Sequence, residues 1–280
     1  MHAGYALLAF AFAVTLLSCS SSATKPSSMT SDPETSVCGR FREPLAFWMF
    51  RRAAGTADER RVARIRDIER INFITRDGRE LGGYKLLVRE NPQGYLLVAP
   101  GNAMLADQIM DEMQLFRVRG FDVYIYDYRG YGLSGGKSRL AALVSDYREL
   151  VAFLNPRPYR RRALYGMSMG GIILLNAVGS TDMYSAMVVD SSPSRISHLG
   201  CPDSYDPVNH LPVDGSRMKI ISGEQDSVVR PAEMAELMQI AKKRGATVVS
   251  REEYAHPFQD ADLTIRRRRL IEVADFLTQK

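Results

Sequence analysis

The sequence predicts an α/β protein with an approximately eight-stranded, mostly parallel sheet and helices on both faces, and three observations carry that prediction. Short apolar runs of strand length recur at 95–99, 122–126, 162–165, 186–189, 218–222 and 247–250. Between them, residues 105–119, 140–154, 169–179, 231–244 and 260–279 have the spacing and length of helices. Ahead of them, two β-prone runs within 70–88 are joined by Asp77-Gly78, a pair that favours a tight hairpin turn and so adds an antiparallel pair. Repeated strand, helix, strand order requires crossover connections. These bury a parallel sheet on both faces and put sites at the carboxyl ends of its strands.

Composition bounds the reading. With 280 residues, 45% apolar and 25% charged, the chain can bury the core of one α/β domain. The formal charge of +5 is basic, yet basic and aromatic residues do not interleave as an RNA-binding surface requires, which argues against nucleic acid as a partner. A basic surface beside anionic lipid fits better.

Residues 1–18 carry no Lys, Arg, Asp or Glu and contain an apolar run from Tyr5 to Leu17, the length of an export signal's core and too short to span a bilayer. The run ends in Leu16-Leu17-Ser18-Cys19, which resembles the lipobox of bacterial lipoproteins. That resemblance implies lipidation of Cys19 after cleavage and a membrane-anchored protein of the cell envelope, and Ser20 is similar to the outer-membrane sorting pattern, facing the periplasm. The alternative is an ordinary cleaved signal. Residues 19–40, rich in Ser and Thr with two prolines, read as a flexible tether, and 41–280 as the folded domain. With Cys19 lipidated, Cys38 and Cys201 remain. They form either one disulfide or two free thiols, and neither has zinc-ligand spacing.

Gly166-Met167-Ser168-Met169-Gly170 fits G-x-S-x-G and sits between a predicted strand and a predicted helix. Such an elbow pinches a serine between the two elements, and Gly166 and Gly170 let the backbones approach. A serine hydroxyl needs a base, and only His256 follows the last predicted strand; His198 and His210 fall earlier, in a crossover segment. The histidine needs an acid. Asp226 follows the seventh strand, with Asp190, at the end of the sixth, as the alternative.

These residues in the order Ser168, Asp226, His256, together with Ala99-Pro100-Gly101-Asn102-Ala103 after the third strand and Tyr128-Arg129-Gly130-Tyr131-Gly132-Leu133-Ser134 after the fourth, resemble the α/β-hydrolase superfamily. The resemblance runs from about Arg70 to the C-terminus. It implies the α/β-hydrolase fold and acyl transfer to water through an acyl-serine, with Ser168 as nucleophile, His256 as base and Asp226 as orienting acid. The 99–103 segment is similar to the H-G-N-A loop of one branch, with Pro100 where histidine is usual. By that match the oxyanion donors are the N–H groups of Met169 and Asn102. No cofactor or metal is implied. The implied substrates are carboxylic esters or thioesters, including lipid-like ones; an exported peptidase, an acyltransferase or a non-catalytic binding lipoprotein are the alternatives.

Three segments complete the reading. Residues 194–217, with three prolines, leave room for only a minimal lid. An aromatic-rich stretch at 41–50, ending in Arg51 and Arg52, is expected to form a short helix that packs on the domain or lies at the membrane surface, with packing the preferred reading. The four arginines 266–269 wrap around the closing helix rather than lining one face, and read as solvated surface.

Overall fold

A computed structural model describes residues 32–279; the segment 1–18 and Cys19 lie outside the described residues. The elements in chain order are α1 (Arg42–Ala54), β1 (Ile68–Ile74), β2 (Glu80–Leu86), β3 (Gly94–Ala99), α2 (Ala106–Ile109), α3 (Gln114–Val118), β4 (Phe121–Tyr126), α4 (Leu140–Leu154), β5 (Arg161–Met167), α5 (Met169–Leu174), β6 (Ala186–Asp190), β7 (Met218–Gly223), α6 (Pro231–Lys243), β8 (Thr247–Arg251) and α7 (Leu263–Gln279). One sheet of eight strands runs in the order β1-β2-β4-β3-β5-β6-β7-β8. β1 and β2 pair antiparallel, β2 runs antiparallel to β4, and every pairing from β4 onward through β3 to β8 is parallel. The inversion of β3 and β4 and the consecutive run from β5 to β8 put β5 in the interior of the sheet, with its carboxyl end between those of β3 and β6.

The period-two alternation of β3 divides the core. Tyr95, Leu97 and Ala99 join a cluster with α4, α5, α6 and the inward face of α1, while Leu96 and Val98 join one with α2, α3 and α7. β3 therefore reads as an unbroken apolar run, because both faces of the sheet are covered there.

Local hydrogen bonding shifts several predicted boundaries. The single helix expected over 105–119 is two short ones, because the N–H groups of Gln114, Leu115 and Phe116 bond to carbonyls three residues back and tighten the turn between them. Ile109, Met110, Met113 and Phe116 still bury on one face; helical spacing reports which face is covered, not whether the i to i−4 ladder is continuous. α7 begins at Leu263 rather than 260, since the Asp262 carboxylate accepts from the N–H groups of Thr264 and Ile265 at 2.7 and 3.0 Å and so caps the helix there. α5 continues into a single π turn, Leu175–Gly179.

Candidate active site

Ser168 stands at the carboxyl end of β5 with φ 52° and ψ −115°, a left-handed conformation that a side chain rarely adopts. The backbone is held there. Its N–H donates to the Asp190 carbonyl at 2.8 Å, and its carbonyl accepts from the Ser192 hydroxyl at 2.6 Å and from the Gly171 N–H at 3.0 Å. The two elbow glycines are required sterically: a Cβ at Gly166 would meet the Gly170 carbonyl oxygen at 2.7 Å, and one at Gly170 would overlap the Ala99 carbonyl oxygen. α5 is thus pressed directly onto the end of β3, and Ser168 stays partly exposed above it. Met169, the first residue of α5, has its N–H in the first helical turn, where no intrahelical acceptor exists.

The loop after β3 reaches the same point. A Cβ on Gly101 would lie 3.8 Å from the Ser168 Cβ. The Asn102 side chain accepts from the Tyr131 hydroxyl at 2.8 Å and from the Ala103 N–H at 3.1 Å, so the Ala103 N–H is already engaged. Pro100, which cannot donate, accepts through its carbonyl from the buried Tyr128 hydroxyl at 2.5 Å. Tyr128 and Tyr131 of the segment after β4 therefore brace the loop. Arg129 does not reach it. Its side chain is buried in an ion cluster with Asp146 and Asp77, Nη2 to Asp146 at 2.5 Å and Nη1 to Asp77 at 2.5 Å.

His256 lies in the turn between β8 and α7, and its Nδ1 is 2.9 Å from Asp226 Oδ2. Asp226 sits in the turn after β7, where its other oxygen accepts from the N–H groups of Val228 and Val229 at 2.9 and 2.8 Å. Burial alone would raise the Asp226 carboxyl; the His256 hydrogen bond and charge, the Val229 N–H and the Ser191 hydroxyl outweigh it and hold the group below the usual carboxylate range. The two turns can approach because β7 ends in Gly223, where a Cβ would collide with the Tyr254 carbonyl oxygen.

Asp190, the alternative acid, is occupied elsewhere. It is fully buried, accepts from the Tyr165 hydroxyl at 3.0 Å and pairs with Arg269 at 3.2 Å. Burial raises its carboxyl, with the Arg269 charge and the Tyr165 bond opposing. The expectation of a solvated arginine run is corrected here. Arg266, Arg267 and Arg268 keep partial or full exposure, but Arg269 is 1% exposed. Of four residues winding round a helix, one must face the core, and here it meets two carboxylates. Arg269 donates to Asp260 at 2.9 Å and to the Ala255 carbonyl at 2.8 Å, while the Ala255 N–H donates to Asp260 at 3.1 Å. The residue before His256 is thereby strapped at both its N–H and its carbonyl. Arg269, Asp260, Ser191 and Ser192 carry no motif, and their part in the site follows only from the folded geometry.

Of the other sequence candidates, His198 is exposed and His210 bonds the Ser204 carbonyl at 2.7 Å. Cys38 and Cys201 are joined in a disulfide, S–S 2.08 Å. Among the described residues, no group of His, Cys, Asp and Glu is arranged to hold a metal ion.

The sheet order, the strained serine after an interior strand and the acid and histidine turns after β7 and β8 define the architecture. This is the α/β-hydrolase fold. It overlays an esterase of Pyrococcus furiosus, Pf2001, with a TM-score of 0.63 at 17% identity, covering 80% of this chain and 96% of that one. The family model described as serine aminopeptidase, S33, matches residues 90–204 of the α/β-hydrolase domain. In sequence the chain is 24% identical over 225 residues to the protein YfhR of Escherichia coli K12, covering 73% of this chain and 79% of that one. It is 37% identical over 116 residues to a monoacylglycerol lipase of Mycolicibacterium smegmatis, covering 39% of this chain and 41% of that one.

Proposed function

We propose that the protein is a serine hydrolase that cleaves a carboxylic ester or thioester, including acyl-lipids, through an acyl-Ser168 intermediate. The observation that carries the reading is the buried His256–Asp226 pair at 2.9 Å, set at the same sheet edge as the strained Ser168. With Nδ1 bound to Asp226, Nε2 of His256 is the nitrogen left to take the Ser168 proton as Oγ attacks the substrate carbonyl carbon. The N–H groups of Met169 and Asn102 receive the developing oxyanion; engagement of the Ala103 N–H by Asn102 favours Asn102 as the second donor. Collapse expels the alcohol or thiol, which takes the proton from His256. Water then attacks the acyl-serine by the same route and releases the acid.

Two similarities support the substrate class: the esterase fold match and the partial match to a monoacylglycerol lipase. The family description keeps a peptidase as the second reading. A fluorophosphonate probe tests the chemistry. It labels the folded protein and fails to label Ser168→Ala; absence of labelling on folded wild type defeats the proposal. Turnover of p-nitrophenyl esters of increasing acyl length, beside aminoacyl p-nitroanilides, separates ester from peptide cleavage. Export and lipidation at Cys19 belong to the same reading, supported by the apolar run before it and by the Cys38–Cys201 bond, which suits an oxidising compartment. Metabolic labelling with a fatty acid that persists in Cys19→Ala removes that part.

A further inference from the structure

α1 packs on the domain through Glu43, Phe47 and Ala54. Its opposite face should be polar and is not. Phe41, Leu45 and Trp48, spaced four and three residues apart and so stacked on one stripe, are 80%, 53% and 50% exposed, with Met49 exposed beside them. A contiguous apolar stripe on the face of a helix turned away from its domain marks an interaction surface.

The charge on this helix is one-sided. Arg40, Arg42, Arg51 and Arg52 are all exposed. The single acid, Glu43, is buried and accepts from the N–H groups of Val37, Cys38 and Leu140 at 2.6 to 2.7 Å. Two of the guanidinium groups lie over the stripe's rings, Arg40 at 5.6 Å from Phe41 and Arg52 at 5.7 Å from Trp48. Aromatic and aliphatic side chains edged by arginines, with no exposed carboxylate among them, complement an anionic bilayer interface: rings enter the acyl boundary while guanidinium groups stay with the phosphates. A second copy docked symmetrically on the same stripe would set arginines against arginines.

We propose that α1 docks on an anionic phospholipid bilayer, with Phe41, Leu45 and Trp48 immersed and the flanking arginines on lipid phosphates. The ends of α1 touch two segments of the domain. At one end of α1 the Ala54 carbonyl accepts from Gln108 of α2 at 2.8 Å. At the other, Arg42 donates to the Leu199 carbonyl at 2.8 Å, beside the disulfide to Cys201. Docking therefore holds the segment after β3 and the segment after β6, through these contacts, near the lipid, whatever chemistry the site performs.

The test uses the full chain, in which Trp48 is the only tryptophan and so reports on α1 alone. The protein is placed on vesicles of phosphatidylcholine with and without phosphatidylglycerol, and Trp48 emission and its quenching by brominated lipid are read. Docking gives blue-shifted, bromolipid-quenched emission on the anionic vesicles that weakens with salt. Leu45→Asp abolishes the shift, and Arg40→Gln with Arg52→Gln lowers the insertion equilibrium by about thirtyfold. Ser168→Ala quenches like wild type, which separates this proposal from the hydrolase reading. Water-exposed, unquenched Trp48 on vesicle-bound protein overturns it. So does quenching that ignores lipid charge and the arginine substitutions, or a blue shift that grows with protein concentration without lipid.

Discussion

Arg269 and Asp190 form an ion pair with Nε 3.2 Å from Oδ2, both side chains closed off from solvent. The pair settles which carboxylate His256 meets. The end of β6 offers an acid one strand from Ser168, but Asp190 is committed to Arg269 and Tyr165, and Asp226 is left to the imidazole.

Removing Arg269 strands two buried carboxylates, Asp190 and Asp260, and frees the strap on Ala255. Arg269→Met should cost about 3 to 5 kcal/mol of stability, read by urea unfolding. Combining it with Asp190→Asn and Asp260→Asn should recover part of that loss, because the uncompensated charges leave with it. A triple variant no more stable than Arg269→Met would refute the charge argument.

The two acids should separate kinetically. Asp226→Asn should lower kcat for an activated ester by about a thousandfold to ten-thousandfold with the fold intact, since the imidazole loses its orienting acceptor. Asp190→Asn should lower the melting temperature while costing kcat no more than about tenfold. Reversed effects would assign the acid to β6.

Tyr131 holds Asn102 through one hydrogen bond at 2.8 Å. Tyr131→Phe keeps the ring and deletes the donor, so kcat/KM should fall about tenfold as the loop after β3 loosens. Stability should change by about 1 kcal/mol. Unchanged kinetics would mean that the loop is fixed by its backbone alone.

Glu272 on α7 accepts from Arg251 at 2.6 Å, Lys219 at 2.9 Å and Tyr254 at 3.1 Å, tying β7 and β8 to the helix. Burial opposes its charge, but these partners outweigh burial and lower it to about 2. The folded state thus keeps the carboxylate ionised to lower pH than the unfolded chain does. Its stabilisation is complete above the ordinary value of 4.5 and is lost as pH falls toward 2. Glu272→Gln should cost about 2 kcal/mol at pH 7, allowing for solvent screening at this half-buried group, and its deficit against wild type should vanish by about pH 2. A deficit independent of pH would point to lost packing instead.

Much of this architecture was legible in the chain. The strand runs around β3 to β8 fall within two residues of the observed strands at each end, and the interior strands β3 to β7, buried on both faces, are mostly apolar. Asp77-Gly78 marks the β1–β2 turn, with Gly78 at φ 76°. What was not legible depends on side-chain environment at single positions. An arginine run looks alike on every face of a helix, so nothing in 266–269 singles out Arg269 as buried. The exposed stripe of α1 has the same composition as a packed one, and only the fold reveals which face the domain leaves uncovered. The placement of β3 inside β4 likewise comes from crossover geometry, not from composition.

The Cys38–Cys201 bond has a mechanical consequence. It connects the chain just ahead of α1 to the cap segment after β6, across 163 positions of sequence. A pull applied at Cys38 is therefore shared through sulfur with the segment that follows β6, rather than borne by the chain leading into α1 alone.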